Sequence, residues 1–224
     1  MNYFKINIIF ITMLLLLIAK NNVAQNLTQQ QKWEQKLEKY RKQDSIKPPH
    51  SGNILFLGSS TIENWKALEH DFAEKKAINR GVSGTKMIDL FNYKERLIDP
   101  YNPAKIFIYE GDNDIALGWS ADSITKVFKE LFYYIRSKKP DATIYVISIK
   151  PSPAREKHIV KLLKTNELLE QFISEQKNAG YIDVYNPMLV SGKLVPAYYR
   201  PDNLHLTEEG YEVWKQVIGA YINQ

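Results

Sequence analysis

The stretch Asn53-Ile54-Leu55-Phe56-Leu57-Gly58-Ser59-Ser60-Thr61 decides the fold of this chain. An apolar run of this length, closed by glycine, reads as a buried strand, and the glycine allows a tight turn into the helical pattern that begins around Ile62. The arrangement recurs downstream. Ala77-Ile78-Asn79 ends at Arg80-Gly81, Lys105–Tyr109 at Glu110-Gly111, and Thr143–Ile149 at Lys150-Pro151, while Tyr181–Val184 is a fifth run. Amphipathic helical patterns lie between them. Ile124, Val127, Phe128, Leu131 and Ile135 form one stripe, closed by Lys138-Lys139-Pro140. Ile159, Leu162, Leu163, Leu169 and Ile173 form another, closed by Gly180. Tyr211, Trp214, Val217, Ile218 and Tyr221 give a last helix its buried face, with Thr207 as its N-cap. Nearly continuous apolar strands alternating with helices predict a five-stranded parallel sheet covered on both faces, a flavodoxin-like three-layer α/β/α sandwich over residues 53–224.

Ahead of this domain, residues 25–52 read as a helix and linker. Thr28 and Gln31 have capping-box spacing, Trp33, Leu37 and Tyr40 recur at helical intervals, and Pro48-Pro49 ends the element. Residues 1–24 read as a signal peptide: Lys5 precedes an apolar run from Ile8 to Ala19, short of the roughly 20 residues that span a bilayer. An uncleaved anchor is the alternative, and Asn22 departs from the small residue expected two places before a cut after Ala24. The expectation is an exported protein, periplasmic or secreted, with no membrane span once the signal is removed. With no cysteine in its 224 residues, the chain can form neither a disulfide nor a lipoprotein anchor, and its 44% hydrophobic content must supply the core. Loss of Lys5 and Lys20 with the signal lowers the formal charge from +5 to +3. The basic residues Lys32, Lys36, Lys39, Arg41 and Lys42 alternate with Glu34 and Glu38 as a solvated helix face does, which argues against nucleic-acid binding. A monomer is expected.

Parallel sheets of this kind bind ligands beyond the carboxyl ends of their strands, and that is where the chemistry-bearing residues fall. Ser60 follows the first strand, where its Oγ and its own N–H face outward from a helix start; alternatively Ser59, Ser60 or Thr61 simply caps that helix. The segment lacks the Gly-x-Ser-x-Gly frame of an α/β-hydrolase elbow. Gly84 in Gly81-Val82-Ser83-Gly84 offers a close-approaching N–H, and Asn113 in Gly111-Asp112-Asn113-Asp114 offers a side-chain amide. Preorganised donors of this type stabilise an oxyanion, although both segments also have turn composition. Near the C-terminus, Asp202-Asn203-Leu204-His205 places a carboxylate three residues before a histidine. A serine nucleophile needs such a base, and the base needs a carboxylate to fix its tautomer; the alternative is a surface pair. Arg155 leaves the fourth strand at the same edge and either reaches substrate or pairs with a carboxylate. Asn166 lies on an apolar helix stripe and calls for a hydrogen-bond partner in a loop. Asp112, Asp114, Asp202 and His205 lack the spacing of a metal site, so neither a metal nor a cofactor is expected.

Taken in order, these blocks resemble the SGNH (GDSL-type) hydrolase family. Ile54-Leu55-Phe56-Leu57-Gly58-Ser59-Ser60 is similar to its first block, with Ser59 where the family often has Asp. Asn79-Arg80-Gly81-Val82-Ser83-Gly84, Tyr109-Glu110-Gly111-Asp112-Asn113-Asp114 and Asp202-Asn203-Leu204-His205 are similar to the others. The resemblance implies a serine esterase with nucleophile Ser60, base His205 held by Asp202, and oxyanion donors Ser60, Gly84 and Asn113. Its substrate would be a small-molecule or glycan ester. The absence of a long apolar segment after residue 24 favours short acyl chains on carbohydrate over lipid or lysophospholipid esters. A non-catalytic carbohydrate-binding module on the same fold is the rival reading.

Overall fold

A computed structural model describes residues 27–222; the expected signal segment lies outside them. The chain forms two units, Met1–Gln35 and Lys36–Gln224. Helix α1 (Gln29–Ile46) begins in the first, where Thr28 and Gln31 exchange the two reciprocal bonds of a capping box (2.8 and 3.2 Å). In the second unit, strands β1 (Ile54–Gly58), β2 (Ala77–Gly81), β3 (Lys105–Tyr109), β4 (Thr143–Ile147) and β5 (Ala179–Ile182) form one parallel sheet in the order β2-β1-β3-β4-β5. This is the flavodoxin-like order, and the molecule is the expected α/β sandwich. Helices α2 (Ala121–Lys138), α3 (Ile159–Ser174) and α4 (Glu208–Ile222) are its long flanking elements.

Side chains alternate between the two faces of each strand. In register, Phe56, Phe107 and Tyr145 stand side by side on β1, β3 and β4 and stack at centroid distances of 4.7 and 4.9 Å. Phe72, Trp65 and α4 close over this row, with the buried Trp214 edge-on to Tyr109 at 5.0 Å and to Trp65 at 6.1 Å. On the other face Leu55, Leu57, Ile106, Ile108, Ile144 and Val146 are buried. There α2 packs on α3 through Phe128, Phe132 and Phe172. Completely burying one such ring is worth about 1.5–3 kcal/mol.

The elements depart from expectation in four places. Strand β4 stops at Ile147 instead of Ile149, because Asn166 takes over the backbone of Ile149, accepting from its N–H (2.8 Å) and donating to its carbonyl (3.0 Å). Gly180 does not close α3, which ends at Ser174. It sits inside β5, two residues earlier than the expected strand, where a Cβ would lie 2.8 Å from the Tyr145 ring. Leu163 lies outside the buried stripe of α3 and is exposed. A short hairpin, β6 (Leu189–Val190) with β7 (Lys193–Leu194), has no counterpart in the sequence reading.

Candidate active site

β1 and β3 are neighbours at the centre of the sheet, and the chain leaves them toward opposite sides, the switch point beyond which sheets of this order bind ligands. Gly58 makes the exit from β1. Its φ of +149° and the 2.1 Å that would separate an added Cβ from the Tyr109 carbonyl leave room only for glycine. Ser59 follows as the N-cap of the helical turn Ser60–Glu63, but its side chain makes no capping bond. The Ser60 hydroxyl is turned instead toward a residue 145 positions away: its Oγ is 3.0 Å from His205 Nε2.

Two features bring the histidine there. Tyr211 stacks on Trp65 at 5.4 Å, and its hydroxyl donates to the Thr61 carbonyl at 2.8 Å, tying the helix to the residue beside Ser60. Before the helix, the Asp202 carboxylate organises a tight turn. Its Oδ1 accepts the N–H groups of Leu204 and His205, each at 2.9 Å, and its Oδ2 is 2.7 Å from His205 Nδ1. Burial acts to raise the Asp202 pKa. The bonds from the His205 ring and the two backbone N–H groups outweigh it and bring the value down to about 2. A carboxylate at Nδ1 leaves Nε2 free to accept the Ser60 proton.

The third and second blocks meet the first at one atom. Asn113 Nδ2 donates to Ser59 Oγ at 2.8 Å and to the Thr85 carbonyl at 2.9 Å. These are the residues next to Ser60 and Gly84. The family departure at position 59 thus supplies a hydroxyl acceptor for Asn113. Gly84 is exposed with φ +81°, a left-handed turn that presents the backbone itself. Below the turn, Glu63 accepts the Ser83 N–H at 2.6 Å and Lys36 Nζ at 2.7 Å. Ser60, His205, Asp202, Asn113 and Gly84 therefore lie on loops bonded to one another.

Arg155 is committed to a carboxylate: its Nε donates to Asp112 Oδ1 at 2.5 Å. Lys150, wholly buried, reaches Asp112 Oδ2 at 3.4 Å. Burial works against ionised Asp112, but the two cations prevail and hold its pKa below the usual carboxylate range; burial likewise lowers that of Lys150. The fully buried Lys150 was the one member of this cluster the sequence offered no reason to single out. Asp114 accepts the Met87 N–H with both oxygens at 3.1 Å, and burial pushes its pKa up to about 6. Among the described residues, no group of three or more His, Cys, Asp or Glu side chains could hold a metal ion, and no helix is long and apolar enough to cross a membrane.

This chain belongs to the GDSL-like Lipase/Acylhydrolase family, whose sequence profile matches residues 56–213. That makes it a carboxylic ester hydrolase. A curated relative, the N-acylneuraminate cytidylyltransferase of Escherichia coli O18:K1:H7, is 23% identical over 188 residues. The match takes in 83% of this chain but only 42% of that protein, so the chain spans about two-fifths of the relative's length. Among solved structures, a candidate platelet activating factor from Streptococcus pneumoniae superposes with a TM-score of 0.78 at 22% identity, covering 94% of this chain and 99% of that one. A GDSL-like lipase from Bacteroides thetaiotaomicron gives 0.73 at 20% identity, with coverages of 84% and 97%. An acetylxylan esterase from Geobacillus stearothermophilus gives 0.66 at 15%, with coverages of 79% and 97%. At these identities the structural likeness establishes the fold.

Proposed function

We propose that the protein hydrolyses carboxylic esters by a Ser60-His205-Asp202 acyl-enzyme mechanism, acting on short-acyl, chiefly acetyl, esters of carbohydrates. One observation carries the reading: the unbroken line from Asp202 Oδ2 through the imidazole of His205 to Ser60 Oγ, with steps of 2.7 and 3.0 Å. His205 Nε2 takes the hydroxyl proton as Ser60 Oγ attacks the ester carbonyl, and Asp202 stabilises the imidazolium. The N–H groups of Ser60 and Gly84 and the amide of Asn113 hold the oxyanion. The bond to Thr85 fixes the amide plane of Asn113, and its other N–H, which meets Ser59 Oγ at rest, is the one the oxyanion competes for. His205 then gives the proton to the departing alcohol, and water repeats the sequence on the acyl-enzyme. Arg155, bound to Asp112 beside Asn113, contributes by bracing that loop.

The acetyl preference is supported by the lack of any long apolar segment after residue 24 to shelter an acyl tail, and by the fold shared with an acetylxylan esterase. Ser60→Ala should abolish turnover of p-nitrophenyl acetate and labelling by a fluorophosphonate. Full turnover in that variant refutes the mechanism. Absence of labelling in the wild type removes Ser60 as the nucleophile. A series from acetyl to decanoyl esters, beside acetylated glycans and phospholipids, tests the substrate class, and rates that rise with chain length count against carbohydrate acetates.

A further inference from the structure

Glu110 follows the last residue of β3, immediately before the Gly111 turn, and is 2% exposed, yet the proposed reaction makes no use of it. Its Oε2 lies 3.0 Å from Thr85 Oγ1, and its Oε1 accepts from the Gly111 N–H at 3.4 Å. Thr85 Oγ1 is also 2.8 Å from the Val82 carbonyl, which has no proton to give. A hydroxyl carries one proton. Given to Val82, the shorter of the two contacts, that proton leaves the Thr85 oxygen an acceptor toward Glu110, which then supplies the hydrogen of the 3.0 Å contact. A carboxylate cannot do so.

The surroundings favour the neutral acid. The negative charges of Asp114, wholly buried on the helical turn Asp112–Ala116, and of Asp89 on the helix Met87–Asn92 both act on Glu110. Lys86, whose positive charge acts on Asp114, is bonded to Asp89. Burial first, then the charge of Asp114, raises the Glu110 pKa well above the usual carboxylate range.

We propose that Glu110 serves as a protonated positioning residue, donating to the Thr85 hydroxyl so that the Thr85 carbonyl keeps Asn113, and the adjoining Gly84 turn, aimed at the oxyanion. The inference rests on the serine-esterase reading. As pH rises through its elevated pKa, Glu110 loses the donated hydrogen and gains a charge between Thr85 and Asp114. Turnover should therefore fall on the alkaline side.

The test is the pH dependence of kcat and KM for p-nitrophenyl acetate in the wild type, Glu110→Gln and Glu110→Leu, with fluorophosphonate labelling of each. Gln keeps a neutral donor that cannot ionise. It should retain kcat within a few-fold of wild type near neutral pH and lose the alkaline fall. Leu removes the donor and should lower kcat by about 10- to 100-fold with little change in KM, less than the roughly 10²–10³ lost when an oxyanion donor itself is deleted. A Leu variant as active as wild type, a Gln variant as impaired as Leu, or an unaltered alkaline fall in Gln would each overturn the proposal. Should the Leu variant fail to fold, the alkaline limb of the Gln variant decides. Infrared difference spectra of the unreacted protein give a readout independent of turnover. A protonated-carboxyl band present in the wild type and missing in Glu110→Gln supports the neutral acid, and its absence from the wild type overturns it. Failure of the wild type to label at Ser60 defeats the esterase mechanism without touching that band.

Discussion

Asn113→Ala separates the chemical and structural duties of one side chain. The amide nitrogen makes two neutral hydrogen bonds, to Ser59 Oγ at 2.8 Å and to the Thr85 carbonyl at 2.9 Å. Each is worth about 0.5–1.5 kcal/mol, so their loss costs roughly 1–3 kcal/mol of stability. Ser59 and Thr85 are 2% and 1% exposed, so water does not readily replace the lost donor and the upper half of that range applies. For a chain of this size each kcal/mol lowers Tm by about 2–4 °C. Loss of an oxyanion donor costs about 10²–10³ in kcat, or about 2.7–4 kcal/mol of transition-state stabilisation. The donor acts on charge present only in the transition state, so KM should barely move. The assay is steady-state hydrolysis of p-nitrophenyl acetate well below both melting temperatures, beside thermal unfolding by circular dichroism. Asn113→Asp offers acceptors where Thr85 needs a donor and should lose at least as much. A kcat within about threefold of wild type in the folded Ala variant would refute the argument.

Two further perturbations test how the site is supported. Asp112→Asn leaves the buried Lys150 and the adjacent Arg155 without their carboxylate, and breaking a buried pair in this way costs about 3–5 kcal/mol. Adding Lys150→Met should recover part of that loss, and strict additivity in chemical denaturation would rule out the coupling. Gly210→Ala gains helix propensity worth about 1 kcal/mol. The new Cβ, however, would lie 2.5 Å from the Tyr198 carbonyl, so overpacking of about 1–3 kcal/mol should win. A Tm equal to or above wild type would contradict this.

The sheet was legible because its strands are short, almost wholly apolar and bounded by glycine, as at Ile54–Gly58. Where an element's end depended on a partner remote in the chain, the sequence misled. Nothing in Thr143–Ile149 reveals that Asn166 intercepts the backbone at Ile149 and stops the ladder. Gly180 carries the same local signal as a helix stop, and only the ring of Tyr145 above it shows why a strand needs glycine there. In the site, Ser60, Asn113 and the Asp202–His205 loop could be singled out by type and order. The bonds that aim them could not, because Thr85, Glu110 and Lys150 gain meaning only from partners 25 to 38 positions away.

The free side of β2 has a consequence for how the chain folds safely. At Asn79 and Gly81 its outward groups are already occupied by side chains. The Asn79 N–H goes to Glu69 (2.9 Å) and the Gly81 N–H to the Asn79 amide oxygen (2.9 Å). The Asn79 carbonyl takes Arg80 (2.8 Å) and the Gly81 carbonyl takes Tyr40 (2.5 Å). A second chain meets no open ladder there to extend. Tyr40 arrives on α1, as does Asp44, which grips Arg80 at 2.5 Å. A chain cut just ahead of β1 would keep its catalytic loops yet uncover the Gly81 carbonyl and release Arg80 from Asp44, and its first defect should be clumping rather than sluggish chemistry.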